Sequence, residues 1–369
     1  MPKLFRAIGL MSGTSMDGID VALVETDGEE RVEFGPTLAV PYGAEVRKRI
    51  EQGLEDAQPM ATRSDRPGGL AALETEITDL HAQAVGQFLS IHGIDPQSID
   101  LLGFHGQTVL HRPEAGITVQ LGDGEALART TGIDTVHDMR ATDMTVGGQG
   151  APLVPVFHRA LAKRLPERPV AFVNIGGISN VTWVGEVGPP VAFDCGPGMA
   201  LIDRWVQSEA GIPFDDGGRI AGEGTVIATI VDRYLASEFF DAPAPKSLDR
   251  LDFPPLEAGS AELSDGARSL ARITAEAIAR AIPHMPTPPK RWLICGGGRL
   301  HSLVMADLRE VLAPATVEPC DAAGFDGDMM EAQAFAYLAV RSARGLPLTF
   351  PTTTGCREAM TGGVLARAG

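Results

Sequence analysis

The sequence predicts an α/β chain of two lobes. Three observations carry that prediction. The length of 369 residues exceeds what one hydrophobic core organises, since domains run to roughly 150 residues. Short apolar runs of strand type are followed by longer helical patterns, and this order occurs twice, on either side of residues 145–170. Each half also opens on a strand, a glycine turn and a second strand, an echo of the kind that related lobes leave.

The first apolar run, residues 4–11, breaks at Ser12-Gly13-Thr14-Ser15, and a second, 19–24, follows Asp17-Gly18. Two such runs joined by small residues read as a β-hairpin, and a third strand near 32–40 completes a meander. Residues 44–54 and 69–92 carry helical patterning. A strand over 99–104 then meets the polar cluster His105-Gly106-Gln107-Thr108, and 108–111 with 117–121 form a hairpin. Residues 125–131 read as a short helix, and 133–136 as a strand that runs into Asp138, Arg140 and Asp143. A glycine-rich loop at 147–150 and a helix over 158–164 follow.

The second half begins with a strand at 170–173, a turn at 174–180 and a strand at 181–184. A run at 191–193 leads into Asp194-Cys195-Gly196-Pro197-Gly198. Helices are expected at 199–208, 225–235, 266–282, 302–311 and 329–344, with a buried strand at 292–295 ending on Gly296-Gly297-Gly298. The lobes are expected to divide as 1–145 and 146–369.

The net charge of −17 opposes broad binding to nucleic acid or to an anionic membrane, because the long-range field repels both. It leaves a nucleotide possible, since backbone N–H groups and a bound cation hold phosphates locally. Cys195, Cys295, Cys320 and Cys356 are too far apart for a zinc motif or a secreted disulfide framework. No basic, apolar and small-residue leader opens the chain, and no apolar run reaches the roughly 20 residues that span a bilayer. A cytoplasmic location is the expectation.

Small residues in the first turn suit phosphate binding. Glycine lets the backbone approach a ligand, and successive N–H groups converge on phosphate oxygens. Ser12, Thr14 and Ser15 add hydroxyl donors, and Asp17 or Asp20 can place a carboxylate near a magnesium-bound triphosphate. A tight polar turn without a ligand explains the same residues, and the lysine of a Walker A loop is absent. Gly176-Gly177 and Gly296-Gly297-Gly298 each follow an apolar strand. One such turn is an ordinary strand end; three in one chain suggest a nucleotide at strand C-termini. Asp194, directly after an apolar run, is placed to act as a general base or to cap the helix beginning near Met199. His105 is a candidate polar group, though a lone histidine is more often structural. Arg140 either pairs with Asp138 and Asp143 or grips an anionic group. Glu331 opens a helix, where the dipole alone favours a carboxylate.

Taken in order, GLMSGTSMDGID (9–20), FHGQT (104–108), VQLGD (119–123), DMRATD (138–143), GGQGAPLVP (147–155), NIGGISNVT (174–182), FDCGPG (193–198), LICGGG (293–298) and EAQAFAYLA (331–339) span nearly the whole chain. This series resembles the 1,6-anhydro-N-acetylmuramic acid kinases of bacterial cell-wall recycling. The resemblance implies a two-lobed actin-like, ribonuclease H-like fold. Each lobe is then a mixed sheet flanked by helices, with ATP in the cleft between them. It implies hydrolysis of the 1,6-anhydro bridge with phosphorylation of O6, giving N-acetylmuramic acid 6-phosphate and ADP. The family's catalytic carboxylate falls on Asp194. Its ATP-binding segment falls on Gly13, Thr14, Ser15, Met16, Asp17, Gly18, Ile19 and Asp20, with Gly176, Gly177, Gly296, Gly297 and Gly298 as further nucleotide contacts. Arg140, Glu331 and His105 fall at the sugar. ATP with Mg2+ and a small amino sugar are the expected ligands, a homodimer the expected assembly, and the metal ligands stay open. Met199 stands where the family often has Asn, and Lys246-Ser247-Leu248-Asp249-Arg250 where it often reads KSTGRE. Two other readings remain at this stage: a kinase of another sugar without the hydrolytic step, and a non-catalytic actin-like protein that binds ATP.

Overall fold

The structure, a computed structural model, describes residues 3–13, 16–248 and 252–369. The chain divides into two compact units, residues 1–163 with 329–369, and residues 164–328. The expected division at 145/146 differs from this one. The chain enters the second unit after Lys163 and returns to the first at Met329.

In the first unit β1 (Phe5–Ser12), β2 (Gly18–Thr26) and β3 (Val32–Pro41) form an antiparallel meander. Helices α1 (Ala44–Asp56) and α2 (Leu70–His92) lead to β4 (Leu101–Arg112), which lies parallel to β1 and turns back as β5 (Ile117–Leu121). After α3 (Gly124–Thr131), β6 (Thr135–His137) lies parallel to β4. Asp123 caps α3, its carboxylate accepting from the Ala126 N–H at 2.9 Å. Short α4 (Ala141–Thr145) and α5 (Pro155–Ala162) complete this part. Strand β4 continues through the cluster 105–108, where the sequence suggested a break, but it is bulged there: Gly106 stands at φ +74° and the pairing with β1 and β5 shifts register. Its His105 and Gln107 side chains are buried and hydrogen-bonded inside the unit rather than exposed in a loop.

The second unit repeats the plan. Strands β7 (Val170–Ile175), β8 (Ile178–Val184) and β9 (Val191–Pro197) form an antiparallel meander, followed by α6 (Ala200–Ala210), α7 (Ala228–Leu235) and α8 (Leu263–Ala279). Strand β10 (Arg291–Cys295) lies parallel to β7, and after α9 (Ser302–Val311) β11 (Thr316–Pro319) lies parallel to β10. The order β11-β10-β7-β8-β9 matches β6-β4-β1-β2-β3 in the first sheet, strand for strand and sense for sense. The echo at the two glycine turns is thus an echo of whole sheets. A core of Val173, Trp205, Leu270, Ile273 and Trp292 fills this unit.

Back in the first unit, α10 (Met330–Ala343) packs on the sheet, with short α11 (Pro351–Thr354) and β12 (Val364–Ala366) after it. β12 forms the sheet edge beside β6. Two strand glycines let α10 approach so closely. A Cβ at Gly9 would sit 1.8 Å from the Ala332 carbonyl oxygen, and one at Gly103 2.1 Å from that of Phe335. Ala332, Ala336 and Ala339, spaced as one helical stripe, keep the facing surface equally small. That contact fixes Glu331 in the first turn of α10.

Candidate active site

In the second unit the β7–β8 turn is only Gly176-Gly177, shorter than expected, because β8 already begins at Ile178. The turn is tied to the start of α6. Gly198 and Ala200 N–H donate to the Gly177 carbonyl at 3.0 and 3.3 Å, and Met199 N–H donates to Gly176 at 2.8 Å. The residue before α6 is Met199 and no side chain caps the helix, so Asp194 does not cap it. A Cβ built at Gly176 or Gly177 would meet nothing closer than 3.6 Å, and one at Gly297 nothing within 4 Å. Packing therefore gives no reason for glycine at these three places, and their backbone is open to close approach. Gly296 and Gly298 differ. Gly296 has φ +72° with Asn174 Oδ1 2.4 Å from an added Cβ, and Gly298 is pressed on Ile175 at 2.3 Å. Arg299 holds this corner by donating to Asp321 at 2.9 Å, Asp328 at 2.8 Å and the Gly296 carbonyl at 3.1 Å.

Asp194 was expected to end its strand. It lies instead within β9, opposite Asn180, at a register shift that brings Gly196 opposite Ser179. The extra residue is a β-bulge, and bulges re-aim side chains beside functional sites. Gly196 at φ +150°, with Ala277 Cβ only 2.5 Å from an added Cβ, makes the bulge possible. Asp194 is half-buried rather than freely exposed. Its Oδ2 accepts from the Leu248 N–H at 2.8 Å, and its own N–H donates to the Lys246 carbonyl at 2.9 Å. Burial pushes its carboxyl up to about 6, against the opposing pull of the Leu248 N–H. A carboxylate of that acidity is poised to take a proton near neutral pH. Asp249 and Arg250, the end of the segment that departs from the family's usual wording, lie outside the described residues.

In the first unit the β1–β2 turn includes Gly13, Met16 and Asp17; Thr14 and Ser15 lie outside the described residues. Met16 stands at φ 56°, a left-handed conformation uncommon for a side chain of its size. The turn is fastened to β4, with Ser12 Oγ donating to the Gly106 carbonyl at 3.0 Å and Gln107 Nε2 to that of Gly13 at 3.1 Å. Asp17 is exposed and Asp20 half-buried, whereas the Ile19 side chain belongs to the core. Gly18 has a packing reason of its own, since a Cβ there would lie 2.4 Å from the Val40 carbonyl oxygen.

Arg140 follows a corner at Asp138, φ 53°. It pairs with neither neighbouring aspartate. Asp138 pairs with Arg63, and Asp143 accepts from Thr354 Oγ1 and the Gly150 N–H, each at 2.7 Å. Arg140 donates from Nε and a terminal nitrogen to His105 Nε2, at 3.2 and 3.0 Å, and to the Gly150 carbonyl at 2.9 Å. His105 Nδ1 in turn donates to the Gly106 carbonyl at 2.6 Å, which fixes its tautomer. Both imidazole nitrogens are therefore taken. Burial, then the Arg140 charge, bring the His105 imidazolium down to about 3, so the ring is neutral at any working pH. Burial also lowers Arg140 to about 10 while Glu331 opposes the shift, so it keeps its charge at neutral pH. Glu331 is exposed, yet desolvation and Asp17 hold its carboxyl above the ordinary range, offset by Arg140.

Sequence reasoning missed the residues that hold these charges. Leu248 acts through its backbone, which no side-chain pattern betrays, and His105 was read as a contact rather than as the support of Arg140. Among the described residues no group of three or more His, Cys, Asp or Glu is arranged to hold a metal ion. A magnesium ion carried on phosphates needs no such cage, since it keeps several waters. No helix among the described residues is long and apolar enough to cross a membrane, and the four cysteines are free and buried.

Residues 5–368 match the family model described as anhydro-N-acetylmuramic acid kinase. An anhydro-N-acetylmuramic acid kinase of Rhizobium etli is 53% identical over 368 residues, covering 99% of this chain and 100% of the relative. One of Agrobacterium fabrum is 52% identical over 373 residues, covering 100% of both. In fold the chain is also similar to a xyloylose kinase of Brucella ovis, with a TM-score of 0.50 at 11% identity, covering 100% of this chain and 95% of that one.

Proposed function

Because the chain belongs to the anhydro-N-acetylmuramic acid kinase family, we propose that Asp194 is the general base of its reaction and that Arg140 and Glu331 receive the sugar. The activity is that of an ATP-dependent phosphotransferase. It opens the 1,6-anhydro bridge of 1,6-anhydro-N-acetylmuramic acid and phosphorylates O6, in the recycling of cell wall. The observation that carries the assignment of the base is the Asp194 carboxyl, aimed by a bulge and raised to about 6.

In the proposed sequence Asp194 takes a proton from a water, whose oxygen bonds to C1. The C1–O6 bond breaks with its electron pair left on O6. That oxygen bonds to the γ-phosphorus as the bond from phosphorus to the β–γ bridging oxygen breaks, and ADP leaves. Little covalent chemistry falls to the protein beyond the base; positioning and charge neutralisation do the rest. The open turns at Gly176-Gly177 and Gly297 give backbone room for phosphate and nucleoside. Gly13 and residues 16–20 supply the hairpin side of the first unit, with Ile19 contributing through its backbone; Thr14 and Ser15 complete the proposed segment in sequence. Mg2+ would arrive on the nucleotide, with Asp17 or Asp20 as carboxylate neighbours, and would neutralise developing phosphate charge. Arg140, charged and without an ion pair among the described residues, suits a carboxylate such as that of the sugar's lactyl group. We place the reaction in the cytoplasm, where ATP is available and buried thiols stay reduced.

Incubation with ATP and the anhydro sugar in heavy-oxygen water tests the sequence. The label is expected at C1 and not in the phosphate, and the product gains one water along with the phosphoryl group. A product phosphorylated with its bridge intact would sink the hydrolytic step.

A further inference from the structure

The segment 242–248 runs beside β9 as a strap, and Lys246 is where it is fastened. The Lys246 Nζ donates to the carbonyls of Phe239 and Phe240 at 2.8 and 3.0 Å, and lies 4.6 Å from the centre of the Phe239 ring. Those carbonyls belong to the one-turn segment Glu238–Asp241. The turn is itself anchored: Phe240 is buried and packs on Phe253, and its carbonyl also accepts from His284 Nε2 at 2.7 Å. The His284 ring stands edge-on to Phe193, the residue before Asp194, at 5.9 Å. From this anchor the strap reaches back to β9 and touches Asp194 on both sides of its Cα. The Lys246 carbonyl accepts from the Asp194 N–H, and the Leu248 N–H donates to Asp194 Oδ2.

We infer that Lys246 is a positioning residue for the base. Its ammonium fixes the strap to the Phe239–Phe240 turn, and the strap's backbone then aims and polarises the Asp194 carboxylate. The inference rests on the reading of Asp194 as general base. A half-buried lysine commonly serves as a solvated tether, but here the ammonium meets two backbone carbonyls and, at 3.3 Å, the His284 Nε2, while its own carbonyl and the Leu248 N–H bond Asp194. The Leu248 N–H favours the charged form of that carboxyl and so opposes burial. A slackened strap lengthens this bond, so the carboxylate becomes more basic and less well aimed. The other titratable groups facing this region among the described residues are Cys195, kept a neutral thiol by burial, Asp241 beside Lys246, and His284.

The test uses the full chain with Lys246→Met, Lys246→Arg and Asp194→Asn. Lys246→Met keeps the stem and removes the donors, so kcat is expected to fall about tenfold or more, with KM for ATP within about twofold. The pH midpoint of kcat should move upward from about 6. The same upward move should appear in the 13C carboxyl signal of Asp194, assigned by its disappearance in Asp194→Asn and read without turnover. Lys246→Arg, which still reaches both carbonyls, should return the midpoint toward the parent value even if Lys246→Met folds poorly. A carboxyl midpoint unmoved in Lys246→Met overturns the inference, even with kcat reduced, because a merely structural tether would lower activity without touching the titration. If Asp194→Asn still opens and phosphorylates the sugar, the base assignment and the inference fall together. If Asp194→Asn is inactive while the Lys246→Met midpoint stays put, the inference alone falls.

Discussion

Asp194 and Arg140 are both charges displaced from their ordinary acidity by burial, yet their units hold them by different means. Asp194 is gripped by backbone alone, its N–H and Oδ2 bonded to the strap at Lys246 and Leu248. Arg140 is gripped through its side chain, by the neutral imidazole of His105 and the Gly150 carbonyl. The difference suits the role proposed for each charge. A base must change protonation state, and a single amide donor opposes burial without pinning the carboxylate as an anion. A cation that binds a carboxylate must keep its charge uncompensated, and neutral acceptors orient it without an ion pair. Had Arg140 paired with Asp143, as the sequence allowed, its charge would have been neutralised inside the fold.

The largest expected effect tests the first half of this contrast. Asp194→Asn should lower kcat about a thousandfold, within the span of a lost general base, while KM for ATP and the unfolding temperature hold. For a general base the active form is the carboxylate, and burial raises the pKa of this one. Activity should therefore rise with pH through about 6 and level off above. A rate profile flat between pH 5 and 8 would contradict the assignment. Arg140→Met comes next. Loss of a charged hydrogen-bonding partner for a carboxylate is expected to raise KM for the sugar about a hundredfold, or about 2.7 kcal/mol. Arg140→Lys should not restore it, since an ammonium cannot fork between His105 and Gly150. Equal sugar KM values for Arg140→Met and the parent would move the anion site elsewhere.

The sheets and helices of both units were largely legible in the sequence because their apolar periodicities are strong, and the doubled plan showed itself at the two glycine turns. Where reading failed, a polar residue was satisfied by partners distant in sequence. The cluster 105–108 looks like a loop, but Ser12, Gly13 and Arg140 complete its bonds within β4's sheet. Asp194 looked like a strand end because its bulge depends on Gly196 meeting Ala277, 81 positions away in a helix. The return of the chain at Met329 left no local mark either; it is encoded in the match between Gly9, Gly103 and the alanine stripe of α10. The glycines likewise looked alike in sequence and divide only in three dimensions, into crowded ones such as Gly18 and open ones such as Gly177. Leu248 had no signal to find, because any residue but proline offers the same N–H.

A smaller effect is expected at His105. His105→Leu leaves Arg140 donors without their acceptor and should raise sugar KM about tenfold, with His105→Gln recovering part of it by offering Oε1 near the lost Nε2. Because the parent imidazole is held down to about 3, sugar KM should show no step between pH 5 and 8 from this residue. A step at ordinary histidine acidity that vanishes in His105→Gln would mean that the ring is reachable by protons and contacts the sugar itself.

The smallest effect decides whether the Arg140 corner is held from inside or outside. Arg63 reaches over the surface to pair with Asp138 and donates to the Thr118 carbonyl at 3.0 Å, and Asp138 occupies the left-handed corner two residues before Arg140. If the surface pair held the corner, removing it would let Arg140 drift and sugar KM would rise with the loss. Both partners are partly exposed, with side-chain accessibilities of 42% and 27%, so screening leaves the pair worth less than about 1 kcal/mol. The part-buried bonds to His105 and Gly150 are made by other groups and do not depend on it. Arg63→Ala is therefore expected to lower the unfolding temperature by no more than about 4 °C and to leave sugar KM within about twofold. A KM shift as large as that of His105→Leu would show that the corner is set at the surface, and Arg140 would then be held by a means no more internal than that of Asp194.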